Sequence, residues 1–63
     1  MDITEKKKEI LRLLAAGKRV KDIAKELGLA VGTISAHIRE LKLLMKANTI
    51  PELACKAIIK GII

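Results

Sequence analysis

The feature that most constrains the fold is a pair of helix-like apolar patterns separated by a glycine, within residues 21–46. Before Gly28, apolar residues recur at the spacing of a short helix, predicted over about 21–27, and a longer helix is predicted over about 31–46. Gly28 suits the left-handed conformation that ends many helices, and Ala24 is small enough for two helices to cross closely. Two helices joined by such a turn are typical of a helix-turn-helix unit.

Two more helices flank this unit. The first is predicted over about 5–16, with Thr4 as its N-cap. The last begins with a capping box, Thr49-Ile50-Pro51-Glu52, and is predicted to end near Lys60. No segment alternates with the period of a strand, and 63 residues suffice for one small domain. The sequence therefore predicts an all-α, four-helix helix-turn-helix domain over residues 1–63, with helices one to four in chain order.

The charge of the chain is concentrated on the same stretch. Thirteen basic and seven acidic residues give a net charge of +6. Residues 17–47 contribute +4 of this, and the segments on either side contribute +1 each. A small basic domain favours a polyanion, most often nucleic acid. A merely solvated surface is the alternative that charge alone leaves open.

Helix three has two distinct faces on a helical wheel. Its predicted core face carries Ile34, Ile38, Leu41 and Met45. Its outer face carries small or basic residues, the shape that suits the major groove of DNA. Arg39 is predicted to bond guanine, Ala36 to touch a thymine methyl group, and Ser35 to bond a base edge or a phosphate. Thr33, near the N-terminus of the helix, is placed to bond a phosphate.

Helix four is apolar over more of its circumference than one packing partner needs. Leu53, Ala54 and Ala57 are predicted to pack on the domain's own core. The opposite side, with Cys55, Ile59 and Ile62, would be exposed in a monomer, which predicts a two-fold dimer through helix four. There are two alternatives to dimerisation: the domain tolerates an exposed apolar C-terminal helix, or a regulatory domain covers it.

Short motifs along almost the whole chain resemble those of one protein family. The resemblance begins with Ile3-Thr4, Glu9-Ile10-Leu11, Leu13-Leu14-Ala15 and Gly17, and it continues with Lys21-Asp22-Ile23-Ala24 and Leu27. It then includes the pairs Thr33-Ile34 and His37-Ile38, and it ends with Glu52-Leu53-Ala54, Ala57 and Gly61-Ile62. The chain thus resembles the C-terminal DNA-binding domain of the LuxR/FixJ (GerE-type) family of bacterial transcription factors.

The resemblance implies a dimeric, sequence-specific transcription regulator that binds double-stranded DNA with helix three in the major groove. Carried over by position, Ser35, Ala36 and Arg39 face bases. Near phosphates, the resemblance and the positions of the cations together give Lys21, Thr33, Lys46, Lys42 and Lys18. The chain departs from the family where Arg19 and Ala30 replace the usual capping residues, and where Leu44 and Ile50 replace polar ones.

No catalytic residue, metal, cofactor or small-molecule site is predicted. His37 is the only histidine and Cys55 the only cysteine, whereas a metal site needs three or four ligands. No apolar run is long enough to span a membrane, and a single cysteine fits a reducing compartment, so the expected location is the cytoplasm.

Other functions remain to be weighed against DNA regulation. A winged-helix regulator would need a β-hairpin after helix three. A helical protein-interaction module, natural or engineered, would keep the fold without binding DNA, and the apolar residues Leu43, Leu44, Ile59 and Ile62 favour it. An enzyme is the least supported alternative.

Overall fold

The computed structural model describes residues 3–63 and contains four α-helices. They are α1 (Glu5–Ala15), α2 (Val20–Leu27), α3 (Val31–Met45) and α4 (Ile50–Ile59), which correspond to predicted helices one to four. The predicted bounds are correct to within one residue. Within residues 3–63 no strand is present, and α4 stands where a winged-helix protein would have its hairpin. The winged-helix alternative is therefore wrong.

The first and last helices begin with threonine caps, as predicted. The hydroxyl oxygen of Thr4 accepts a hydrogen bond from the backbone N–H of Lys7 at 3.3 Å, and that of Thr49 accepts from Glu52 at 3.2 Å. The carboxylate of Glu52 differs from the usual capping box, because it accepts from the N–H of Asn48 at 2.8 Å. It thereby satisfies a donor one residue before the cap.

The helix-turn-helix unit consists of α2, the three-residue turn 28–30 and α3. Gly28 has φ +67°, the left-handed conformation that other residues adopt only with strain. The N–H of Leu29 bonds the carbonyl of Ala24 at 2.9 Å, which closes the end of α2. Arg19 and Ala30 occupy the N-cap positions of α2 and α3, and neither side chain makes a capping hydrogen bond. Both missing caps were predicted.

The core draws on all four helices and contains only apolar residues. The buried stripe of α3 is the predicted one: Ile34, Ile38, Leu41 and Met45. The completely buried large side chains are Ile10, Leu11, Ile23, Ile34, Leu41 and Leu53. Helix α1 packs chiefly on α4, while α3 packs on both α2 and α4. The core thus fixes α3 from two sides and leaves its outer face to solvent.

The inward side of α4 is also as predicted, with Leu53, Ala54 and Ala57 buried. Its outward side differs in one residue. Ile62 was expected to be exposed, but it lies partly buried against the core, because the chain turns back after Gly61 and the N–H of Ile62 bonds the carbonyl of Ala57 at 2.9 Å. That expectation of exposure was wrong.

Candidate nucleic-acid interface

The outer face of α3 presents the three predicted base-contacting side chains to solvent. Ser35, Ala36 and Arg39 are all exposed. Ser35 and Arg39 also line a groove of about 260 Å³, together with Lys42 and the apolar residues Val20, Ile38 and Ile50. The structure therefore brings Ser35, Arg39 and Lys42 together beside the starts of α2 and α4.

Gly32 lies on the same outer face and has no structural reason to be glycine. Its φ is not positive, and a Cβ atom built there would meet no other atom within 4 Å. Glycine in the middle of a helix destabilises it by roughly 0.5–1 kcal/mol relative to alanine, and Gly32, in the first turn of α3, bears at most this cost. The fold gains nothing for its own packing from this glycine, which fits a surface that something outside the domain approaches closely.

The ion pairs within residues 3–63 engage most cations of α1 and the one cation of α4, and they leave those of the helix-turn-helix unit unpaired. Four basic residues are paired with carboxylates: Lys7, Lys8, Arg12 and Lys56. Nine of the thirteen basic residues have no such partner among residues 3–63, and seven of those nine lie between 18 and 46. They are Lys18, Arg19, Lys21, Lys25, Arg39, Lys42 and Lys46. Two carboxylates in this stretch, Asp22 and Glu26, are also without an ion-pair partner, so it stays positive overall.

The acidic residue on α3 is neutralised by a lysine from another helix. Lys7 of α1 donates a hydrogen bond to Glu40 at 3.0 Å. This hydrogen bond, together with the positive charge of Lys7, lowers the pKa of Glu40 from its ordinary value of 4.5. Because Glu40 is paired, its negative charge opposes the approach of a polyanion to α3 less than an isolated carboxylate would.

The predicted phosphate-contacting residues do not all share one surface. Thr33, Lys21 and Lys46 are exposed, and Lys42 is half-buried in the groove beside Arg39. Lys18 lines a different groove, of about 450 Å³, between the end of α1 and α4. The structure therefore groups Lys42 with Ser35 and Arg39, whereas Lys18 lies on the side of α4.

The outward surface of α4 contains one exposed residue that the sequence analysis did not select. Ile59 is 82% exposed, Ile58 is 56% exposed, and Cys55 is exposed between them and Pro51. Ile58 and Cys55 line the same groove as Lys18. On the helical wheel Ile58 is adjacent to the buried Ala54, so the sequence pattern does not separate the two, and only the packing of α4 in the fold shows that Ile58 stays outside the core.

No group of three histidine, cysteine, aspartate or glutamate side chains within residues 3–63 is arranged to hold a metal ion. His37 is half-buried on the flank of α3. None of the helices in this part of the chain is long and apolar enough to cross a membrane.

Comparison with known proteins identifies the family of this four-helix domain. A family model described as GerE, bacterial regulatory proteins, luxR family, matches residues 1–57. The chain belongs to the luxR family of bacterial regulatory proteins. Membership confirms the resemblance and the all-α helix-turn-helix fold, and it makes the chain a DNA-binding regulatory domain and not an enzyme.

One relative of the luxR-family chain is the uncharacterized transcriptional regulatory protein YvfU of Bacillus subtilis (strain 168). The two are 43% identical over 59 residues, which cover 94% of this chain and 30% of that protein. The chain thus spans about a third of the length of this relative. No solved structure matches the chain.

Proposed function

We propose that this luxR-family domain binds double-stranded DNA sequence-specifically as a homodimer, with α3 in the major groove and α4 as the dimer interface. Ser35, Ala36 and Arg39 contact bases. The phosphate-contacting residues are Lys21, Thr33, Lys46, Lys42 and Lys18. The observation that carries the proposal is the outer face of α3: small, exposed, and set among cations that ion pairs elsewhere in the fold leave available.

The residues on the outer face of α3 have different roles because their side chains differ in length. Gly32 and Ala36 have little or no side chain, so the backbone of α3 can come close to the base edges. Arg39 is long and carries a fork of donors that matches the two acceptors of guanine. Three side chains per subunit specify only a few base pairs. Two subunits on neighbouring half-sites therefore give the specificity that one subunit lacks.

The salt dependence of binding tests the phosphate contacts. Four of the proposed phosphate-contacting residues are lysines, so the logarithm of the binding constant should fall with the logarithm of salt concentration with a slope of about −3.6 per subunit. Fluorescence polarisation with random-sequence duplex DNA at several salt concentrations measures it. Absence of binding at low salt would refute the DNA-binding proposal.

Base specificity is tested by Arg39→Ala. We expect it to relax the sequence preference at one position per half-site and to weaken binding to a selected site by about 1–3 kcal/mol. Arg12→Ala is the matched control, because Arg12 is paired with Glu9 on α1 and away from α3. Selection from a random duplex library gives the preference of each variant. An unchanged preference for Arg39→Ala would show that α3 does not read bases as proposed.

Dimerisation through α4 is supported by the exposed apolar side chains on its outward surface. Cys55, Ile58 and Ile59 form this surface, and Ile62, partly buried against the core, lies at its edge. Monomers rarely leave such residues adjacent and uncovered. Ile59→Lys should shift the chain toward monomer in sedimentation equilibrium. Leu43→Lys is the control, since Leu43 is similarly exposed, at 76%, but lies on α3.

A protein-interaction module is the second candidate function, and the exposure of both Leu43 and Ile59 is the observation that favours it. The polarisation titration with duplex DNA separates the two candidates. A protein-interaction module gives no rise in polarisation with duplex DNA even at low salt, whereas a DNA-binding domain does. DNA binding must weaken steeply as salt is added.

A further inference from the structure

The connection between α3 and α4 contains an unusual backbone conformation at a residue proposed to contact DNA. Lys46 has φ +54° and is the only non-glycine residue with a positive φ within residues 3–63. Glycine is the usual occupant of this conformation at a helix end, because a side chain strains it. A lysine at this position needs support from its surroundings to stay there.

Part of that support comes from the helix end itself, where the N–H of Ala47 bonds the carbonyl of Lys42 at 2.9 Å, and part comes from one lysine of α4. The ammonium of Lys56 donates a hydrogen bond to the backbone carbonyl of Lys46 at 2.6 Å. The carbonyls at the end of a helix carry the negative end of its dipole, so an ammonium group there is stabilising. Among the side chains of residues 3–63, only that of Lys56 donates to a backbone carbonyl.

A neighbouring glutamate holds both Lys56 and the other end of the connection. Glu52 accepts a hydrogen bond from the N–H of Asn48 at 2.8 Å, and its second carboxylate oxygen lies 3.4 Å from the ammonium of Lys56. Two side chains one turn apart on α4 therefore bind the connection at Lys46 and at Asn48. The side chain of Lys56 is only about a third exposed, and its charge is already engaged.

We propose that Lys56 is a positioning residue for DNA binding, which acts through Lys46 and makes no contact with DNA itself. By holding the Lys46 carbonyl it reinforces the left-handed backbone that the helix end begins, and this backbone sets the direction in which the Lys46 side chain leaves α3. The inference rests on the proposed function, since it assigns a cause to the placement of one phosphate contact.

The test compares Lys56→Met, Lys46→Met and the double variant in salt titrations with random-sequence duplex DNA. Each phosphate contact contributes about 0.9 to the salt slope, which is roughly eightfold in affinity at 0.1 M salt. Lys56→Met should lose about this much per subunit, although Lys56 is not a phosphate contact. In the Lys46→Met background, Lys56→Met should lose almost nothing more, because its effect passes through the side chain already removed.

Two further variants separate positioning from general effects. Lys56→Arg should restore most of the affinity and slope, because its guanidinium also donates to the carbonyl. Lys60→Met is the matched control: it removes a lysine one turn further along α4 whose ammonium has no hydrogen-bond partner within residues 3–63. It should leave the slope within experimental error of wild type. Should Lys56→Met not fold by circular dichroism, Lys56→Gln, whose amide is one atom shorter than the ammonium, replaces it.

The outcomes are distinct. Wild-type slope and affinity in Lys56→Met would overturn the inference while leaving the proposed function intact. Equal, additive losses in the single and double variants would also overturn it, because they would show that Lys56 contacts DNA directly. If the wild-type chain shows no salt-dependent binding, the proposed function fails, and the inference fails with it.

Discussion

The missing cap of α3 gives a prediction whose sign and size both follow from the structure. Ala30 is the N-cap residue of α3, is exposed, and has φ −71° and ψ 149°. The capping residue of α1, Thr4, has nearly the same backbone conformation, with φ −66° and ψ 160°. A hydroxyl placed at residue 30 therefore has the geometry needed to accept from the N–H of Thr33, which otherwise bonds only the carbonyl of Ala30 at 3.0 Å. We expect Ala30→Ser to stabilise the domain.

The size of the effect comes from the energetics of capping. Replacing a capping serine or threonine with alanine costs about 1 kcal/mol, within a range of roughly 0.5–2 kcal/mol. In a domain of about 60–100 residues, 1 kcal/mol shifts the midpoint of thermal unfolding by about 4–8 °C. Ala30→Ser should raise the midpoint by the lower part of this range, because the N–H of Thr33 already bonds a backbone carbonyl. Thr49→Ala, which removes a cap present in the structure, should lower it by a similar amount.

The assay is thermal unfolding followed by circular dichroism at fixed protein concentration, since a dimer would make the midpoint depend on concentration. Ala15→Ser is the matched control, because it makes the same substitution at an exposed position, the last residue of α1, where a hydroxyl caps no helix N-terminus. Its midpoint should not rise. A midpoint of Ala30→Ser at or below wild type, with the expected loss in Thr49→Ala, would refute the argument that the first turn of α3 lacks a side-chain acceptor.

Four other changes test separate parts of the structure. Leu41→Ala removes a completely buried side chain of α3; it should cost about 2–5 kcal/mol of unfolding free energy in urea denaturation, and a loss below 1 kcal/mol would contradict the assigned core. Gly32→Ala should stabilise the domain by at most roughly 1 kcal/mol, since Gly32 lies in the first turn of α3, yet weaken its affinity for DNA in polarisation titrations; equal or tighter binding would show that the space beside Gly32 is not used. Lys46→Gly should likewise raise the thermal midpoint, by relieving a strain of about 1 kcal/mol, while it weakens DNA binding and reduces the salt slope by about 0.9 per subunit. The hydrogen bond from Asn48 lowers the pKa of Glu52 from its ordinary value of 4.5. The ionised Glu52 carboxylate therefore contributes its full stability above pH 4.5, and this contribution is lost as the pH falls through the lower folded-state pKa. Glu52→Gln should thus lose less stability below pH 4.5 than wild type does, as measured by denaturation across that pH range.

The local features of this fold were predictable because their causes are local in sequence. The four helices, the caps at Thr4 and Thr49 and the left-handed Gly28 each depend on residues within one or two turns. The core stripe of α3 was predictable for the same reason, since a period of 3.6 residues fixes which side chains share a face. The missing caps at Arg19 and Ala30 were equally visible, because a cap depends on the identity of one residue.

The candidate interface was only partly predictable. The residues of its outer face follow from the helical periodicity of α3, which places Ser35, Ala36 and Arg39 opposite the core stripe. All three are exposed in the structure. Which cations remain available there depends on ion pairs. Three of these join residues three or four apart, but the pair between Lys7 and Glu40 joins α1 to α3. No rule of sequence spacing indicates that pair, since its distance depends on how two helices cross.

What the sequence determined by itself, then, is the set of helices, their inward faces and the family to which they belong. Only the tertiary structure decided which of the remaining side chains are exposed and which residues from other helices they contact. Packing of the chain end buried part of Ile62 and left Ile58 exposed, and the path from α3 to α4 brought the ammonium of Lys56 to the carbonyl of Lys46. The physical reason is that periodicity fixes the direction of a side chain relative to its own helix, whereas its partner depends on the crossing geometry of helices distant in sequence.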